Sequence, residues 1–211
     1  MACLVFLASA FAAHAQTKSV LMLGDSLTQG YGLLEQDGLV PQMRDWLKEQ
    51  GLTVRVINGG VSGDTTAGGL ERFEWSLTPD VGSVVVALGS NDMLRGIAPE
   101  VTRQNLKNLL DIARAKDLKV LLIGVLAPLN YGPAYKEDFD RIFPDLARDY
   151  GTLYVDTFFT PLLEQSDDIS QMKAFMQSDG LHPNAAGIAN IVEYIGPKVA
   201  QLVTEMGKNQ N

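Results

Sequence analysis

The sequence predicts an α/β protein, a doubly wound parallel sheet with helices on both faces, folded as one domain. Three observations carry this prediction. Short apolar runs alternate along the chain with stretches of helical period. The runs are apolar at successive positions, as strands covered on both faces must be. No linker, repeat or low-complexity block divides the 211 residues. A chain of this length buries roughly 70% of the surface its unfolded form exposes, so it folds without a disulfide staple or a structural metal.

Five runs supply the strands: Ser19 to Leu23, Val54 to Ile57, Ser83 to Leu88, Lys119 to Val125 and Leu153 to Asp156. Between the first two, Leu39, Val40, Met43, Trp46 and Leu47 recur at i, i+1, i+4, i+7 and i+8, one helix face, with Gly51 as a C′ stop. Glu71 to Leu77 is helix-compatible ahead of the third strand. Pro99 suits the first turn of a helix whose stripe is Leu106, Leu109, Leu110 and Ala113. Tyr135 to Tyr150 is a further helical stretch. The last helix follows Asn184, a good N-cap, and carries Ile188, Ile191, Val192, Ile195, Val199, Leu202 and Val203 on one face. Gly196-Pro197 is expected to kink or split it, because proline has no amide for the carbonyl four residues back.

Residues 1–15 read differently. They carry no charged side chain, an apolar run through Leu4, Val5, Phe6, Leu7 and Phe11, and a small-x-small pattern at Ala13-His14-Ala15. This is the pattern of a signal peptide cleaved near Ala15, although no Lys or Arg follows Met1. Residues 16–211 then form the folded domain of a periplasmic or secreted protein. No later segment approaches the ~20 apolar residues of a membrane-spanning helix. The lone cysteine, Cys3, excludes an internal disulfide and a Cys-based zinc site. The net charge of −8 repels polyphosphate, so no nucleic-acid partner is expected.

In doubly wound folds the ligand crevice lies beyond the carboxyl ends of the strands. After the first strand comes Gly24-Asp25-Ser26-Leu27-Thr28. After the second comes Asn58-Gly59-Gly60-Val61-Ser62-Gly63-Asp64-Thr65, and after the third Gly89-Ser90-Asn91-Asp92. Asp179-Gly180-Leu181-His182-Pro183 precedes the last helix. Any one of these clusters alone reads as a turn or cap. Together they place four polar loops on one sheet edge.

These residues suit acyl transfer. A serine hydroxyl becomes nucleophilic when an imidazole takes its proton, and a carboxylate fixes the imidazole's tautomer and stabilises its charge. Only His14 and His182 occur, so after leader cleavage the imidazole is His182. Ser26 supplies the hydroxyl, and Asp179, three residues before His182, the carboxylate. The N–H groups of Ser26 and Gly63 and the side chain of Asn91 are the candidate oxyanion donors.

With all four blocks in order, the sequence resembles the SGNH/GDSL hydrolase family. The family is named for a Ser, Gly, Asn and His, matched here by Ser26, Gly63, Asn91 and His182; its Asp-x-x-His is matched by Asp179 and His182. The resemblance covers Lys18 to Leu202. It implies a flavodoxin-like three-layer αβα sandwich on a five-stranded parallel sheet, and a serine esterase working through an acyl-enzyme without metal or other cofactor. Leu126-Ala127-Pro128-Leu129-Asn130-Tyr131-Gly132 resembles the loop that shapes the acyl pocket in the bacterial arylesterase, acyl-CoA thioesterase and lysophospholipase branch. That likeness implies substrate contact by Asn130 and Tyr131. It also implies small ester or thioester substrates, including aryl esters, acyl-CoA or a lysophospholipid, and a periplasmic location.

Three other readings compete. Asp25, Asp64 and Asp92 at strand ends could hold Mg²⁺ for phosphoryl transfer, but no phosphate-binding Gly-x-x-x-x-Gly-Lys-Ser/Thr occurs and no lysine lies in the four loops. Gly30-Tyr31-Gly32-Leu33-Leu34-Glu35 starts like a dinucleotide fingerprint but ends in Glu and does not directly follow the strand. An inactive ligand-binding relative would keep the fold and lose the chemistry. Met172, Phe175 and Met176 are read as core filling rather than as a pocket lining.

Overall fold

The computed structural model describes residues 18–164 and 172–208; the leader reading of residues 1–15 lies outside them. Five parallel strands form one sheet in the order β2-β1-β3-β4-β5: β1 (Ser19–Gly24), β2 (Arg55–Gly60), β3 (Val81–Ala87), β4 (Lys119–Ile123) and β5 (Leu153–Val155). The chain winds outward one way from β1 to β2, then crosses back to β3 and continues the other way. The topological switch therefore lies between β1 and β3, where such sheets open a crevice.

The uninterrupted apolar character of the inner strands follows from the two layers they serve. Successive side chains on a strand face opposite sides. Val20 and Met22 of β1 and Val85 of β3 pack with Leu39, Val40, Met43 and Leu47 of α2 (Leu39–Glu49) and with Ile188, Ile191, Ile195 and Val199 of the last helix. Leu21, Leu23, Val84 and Val86 pack on the other side, against Phe73 of α3 (Thr66–Ser76) and Leu106, Leu109 and Leu110 of α5 (Pro99–Ala115). That layer is completed by α6 (Pro133–Asp140) and α7 (Ile142–Tyr150) through Phe139, Phe143 and Leu146. The result is an αβα sandwich. Phe175, Met172 and Met176 pack against the first of these cores.

Three expectations change. The stretch Tyr135 to Tyr150 is two helices, because Pro144 has no N–H for the carbonyl of Asp140 and the chain breaks at Arg141. The helix expected at Glu71 starts at Thr66: Thr65 caps it by accepting from the Gly68 amide, and this offsets the low helix propensity of Gly68 and Gly69. The last helix, Ala185–Lys208, runs through Gly196-Pro197 without splitting. There Gly196 sits against the Trp46 ring of α2, where a Cβ would come within 2.8 Å of ring carbons, and this packing holds the two helices together across the proline. Its cap is as expected, with the Asn184 side chain accepting from the Gly187 amide at 3.0 Å.

Short helices follow the strands at the crevice: α1 (Ser26–Gln29) after β1, α4 (Ser90–Leu94) after β3 and α8 (Thr160–Glu164) after β5. Among the described residues no helix is long and apolar enough to cross a membrane.

Candidate active site

Ser26 opens α1 immediately beyond β1. Asp25 caps that helix, its Oδ1 accepting from the Leu27 amide at 3.1 Å, which orients the first turn and the serine on it. The turn lies flat on β2. A Cβ at Gly60 would fall 2.2 Å from the Gln29 nitrogen, so only glycine lets α1 come this close. Gln29 in turn holds the following loop: its Oε1 accepts from the Ser62 amide at 2.9 Å and also contacts the Ser62 hydroxyl.

The second loop is tied from both sides. Val61 donates its amide to the Gly24 carbonyl at 3.1 Å, and Arg95 donates to the Gly63 carbonyl at 2.7 Å. Gly63 takes a φ of 81°, a left-handed conformation that glycine adopts without penalty. Asn91 sits at the start of α4. One hydrogen of its Nδ2 goes to the Asp64 carbonyl at 3.0 Å, and the same nitrogen is 3.5 Å from Asp25 Oδ2.

The fourth loop brings the imidazole across. His182 Nε2 is 2.8 Å from Ser26 Oγ, and His182 Nδ1 is 2.7 Å from Asp179 Oδ2. The other Asp179 oxygen, Oδ1, accepts from the amides of Leu181 at 2.9 Å and His182 at 3.0 Å. The backbone amide of His182, its ring and the Leu181 amide hold the Asp179 carboxyl down at about 2, below the ordinary 3.8. It is therefore a carboxylate at any working pH. Asp25 is shifted the opposite way: it is only 4% exposed, and burial raises it, opposed by hydrogen bonds from the Leu27 amide and the Ser90 hydroxyl.

A cavity of about 320 Å³ opens over these groups. Ser26, Gly63, Asn91 and His182 all line it. Apolar lining comes from Ile123, Val125 and Leu126 at and beyond the end of β4 and from Phe158 and Phe159 after β5, and Tyr31 lies against His182, the neighbour of Leu181. The arrangement places a hydroxyl, an imidazole and amide groups around one space.

Asn130 and Tyr131 are not in the cavity wall. They form a short 3₁₀ turn outside it, where the Tyr131 hydroxyl donates to the Leu94 carbonyl at 2.9 Å and its ring packs on Tyr135 and Gly96. The loop's wall residue is Leu126. Tyr131 thus braces the segment after α4. Asp64 and Asp92 are brace residues too. Asp64 pairs with Arg72 at 2.6 Å, and Arg72 also donates to the Gly24 carbonyl. Fully buried Asp92 accepts from the Thr66 amide and hydroxyl and from Thr102.

Sequence reading passed over Tyr31. Its ring centroid lies 4.8 Å from that of His182, tilted by 40°. An aromatic residue set between two glycines directly after the serine helix was the signal available. Phe158 and Phe159 follow β5, so the strand-end rule could also have named them.

A hydroxyl, an imidazole and a carboxylate in hydrogen-bonded order at the switch point of an αβα sandwich define a serine hydrolase site. The chain belongs to the GDSL-like lipase/acylhydrolase family, whose model matches residues 22–189. It is 37% identical over 191 residues to the esterase TesA of Pseudomonas aeruginosa, covering 90% of this chain and 92% of that one. It is 33% identical over 190 residues to the thioesterase 1/protease 1/lysophospholipase L1 of Escherichia coli strain K12, covering 90% and 86%. A crystal structure of TesA superposes with a TM-score of 0.78 at 37% identity, covering 88% of this chain and 99% of that one.

Proposed function

We propose that the protein is a metal-independent serine esterase with Ser26 as nucleophile. The observation that carries this reading is the unbroken relay from Asp179 Oδ2 through the His182 ring to Ser26 Oγ, at 2.7 and 2.8 Å. Ser26 Oγ attacks the ester carbonyl carbon while His182 Nε2 takes its proton. The oxygen gains the negative charge, and the N–H groups of Ser26 and Gly63 with Asn91 Nδ2 receive it. His182 returns the proton to the leaving alcohol or thiol, and the carbon–oxygen or carbon–sulfur bond breaks. Water, deprotonated by the same ring, then splits the acyl-serine ester and releases the acid.

Asp179 stays ionised and holds the ring in the tautomer that leaves Nε2 free to accept. The apolar lining of the cavity, at Ile123, Val125 and Phe158, suits an acyl chain of short to medium length. The charge of −8 favours neutral or zwitterionic substrates: aryl esters, thioesters or a lysophospholipid. The leader pattern in residues 1–15 supports export to the periplasm, with residues 16–211 as the working domain.

The test is a fluorophosphonate label combined with a rate series. The wild type should take one label and hydrolyse p-nitrophenyl esters in the presence of a chelator. Ser26→Ala should lose the label and about 10⁶-fold in kcat with little change in Tm. Labelling that survives this substitution would place the nucleophile elsewhere. An acyl-CoA and a lysophospholipid run beside the ester series identify the leaving group.

A further inference from the structure

Resting on the ester-hydrolase reading above, we propose that Tyr31 is a specificity-determining residue: its ring is the platform on which the leaving group lies, and it selects aromatic alcohols. The direction of departure follows from the chemistry. His182 Nε2 must reach the leaving oxygen to protonate it, so the departing group leaves on the imidazole side of the scissile bond. The oxyanion faces Gly63 and Asn91, and the acyl chain takes the apolar lining by Ile123 and Phe158. The aromatic wall beside the imidazole is Tyr31, with Leu181 as its neighbour in the cavity lining.

The ring is placed by its main chain. The Tyr31 amide donates to the Ser26 carbonyl at 3.0 Å, and its carbonyl accepts from Gln177 Nε2 at 2.9 Å. Among the described residues the Tyr31 hydroxyl has no protein hydrogen-bond partner. Tyr31 is 52% exposed, so it contributes little to the core. It is a half-open aromatic face, tilted against the His182 ring and lining the cavity. Such a face favours a second ring by offset or edge contacts that an alkyl group lacks.

The experiment compares phenyl butyrate with 2,2,2-trifluoroethyl butyrate, which share an acyl group and an activated leaving group but differ in aromaticity. Wild type, Tyr31→Phe, Tyr31→Leu and Tyr31→Ala are measured for kcat/KM on each. Intrinsic ester reactivity cancels when the phenyl-to-trifluoroethyl ratio is compared across variants. Tyr31→Leu and Tyr31→Ala should lower that ratio about three- to tenfold, and Tyr31→Phe should keep it. An equal loss on both esters would make Tyr31 a support for His182 alone and overturn the proposal, as would an unchanged ratio in both Leu and Ala variants. Wild-type protein that hydrolyses neither ester removes the ester-hydrolase reading itself, an outcome distinct from a flat ratio.

Discussion

The side-chain amide of Gln177 donates to the Tyr31 carbonyl at 2.9 Å and, from the same nitrogen, to the Pro183 carbonyl at 3.0 Å. One side chain thus ties the segment after Ser26 to the segment after His182. The Gln177 backbone adds a third link, its amide donating to the His182 carbonyl at 2.8 Å. Ser26 and His182 are 156 residues apart, so the relay between them depends on such cross-links. Gln177→Leu removes both side-chain bonds and leaves two carbonyls to find water. The expected loss is about 1–3 kcal/mol in stability, or roughly 2–4 °C in Tm per kcal/mol. The fluorophosphonate labelling rate should fall with it. Thermal melts and labelling kinetics check this, and wild-type labelling by a variant with lowered Tm would limit Gln177 to holding the fold.

Asn91 is oriented before any substrate arrives, because the Asp64 carbonyl fixes one hydrogen of its amide. Its second hydrogen has only the long 3.5 Å contact to Asp25 Oδ2, so Asn91→Ala should lower kcat by about 10²- to 10³-fold if that hydrogen turns to the oxyanion. Steady-state kinetics separates the roles. A rise in KM with kcat intact would assign Asn91 to uniform substrate binding instead.

How much of this was legible in the sequence depends on the range over which each feature is set. The inner strands were legible because burial on both faces leaves a continuous apolar run, as at Leu21-Met22-Leu23 and Val84-Val85-Val86. The edge strand β2 was read short, since its solvent-side positions and Asn58-Gly59-Gly60 carry no such run. The polar blocks were legible because they cluster after strands. What they do to one another was less so: Asp64 and Asp92 look like metal ligands in one dimension, and only the fold brings Arg72, Thr66 and Thr102 to them. The bracing role of Tyr131 was hidden for the same reason, its hydroxyl being committed to a carbonyl 37 positions away.

Asp25 and Asp179 predict opposite responses to acid. The Asp179 carboxyl is depressed to about 2, so its stabilising contribution is complete above the ordinary 3.8 and is lost as pH falls toward about 2. The Asp25 carboxyl is raised by burial, so the native state favours its protonated form and loses stability as pH rises above 3.8 through the shifted value. Asp25→Asn keeps an acceptor for the Leu27 amide and removes the buried charge. The variant should therefore gain stability over wild type near pH ~7, with the gain shrinking toward pH ~4. Its kcat should fall, because an amide nitrogen would then face Asn91 Nδ2 where a carboxylate oxygen stood at 3.5 Å. Urea midpoints across that pH range measure the first effect, and a gain that grows on acidification would contradict the assignment.

Gly60 offers a test of how Ser26 is seated. An added Cβ would lie 2.2 Å from the Gln29 nitrogen and 2.7 Å from both the Gln29 Cα and the Thr28 carbonyl carbon. These are backbone atoms of α1, so no side-chain rotation relieves the clash, and the helix carrying Ser26 must move off β2. Gly60→Ala should therefore cost about 1–3 kcal/mol and lower kcat, even though residue 60 touches no reacting group. Ser26 Oγ sits 2.8 Å from His182 Nε2, and a shift of about 1 Å in a catalytic geometry is enough to reduce rate by ~10²-fold. Melting temperature and ester hydrolysis measured together decide the matter: an alanine variant with unchanged Tm and rate would mean that α1 can ride up on the strand without disturbing the relay.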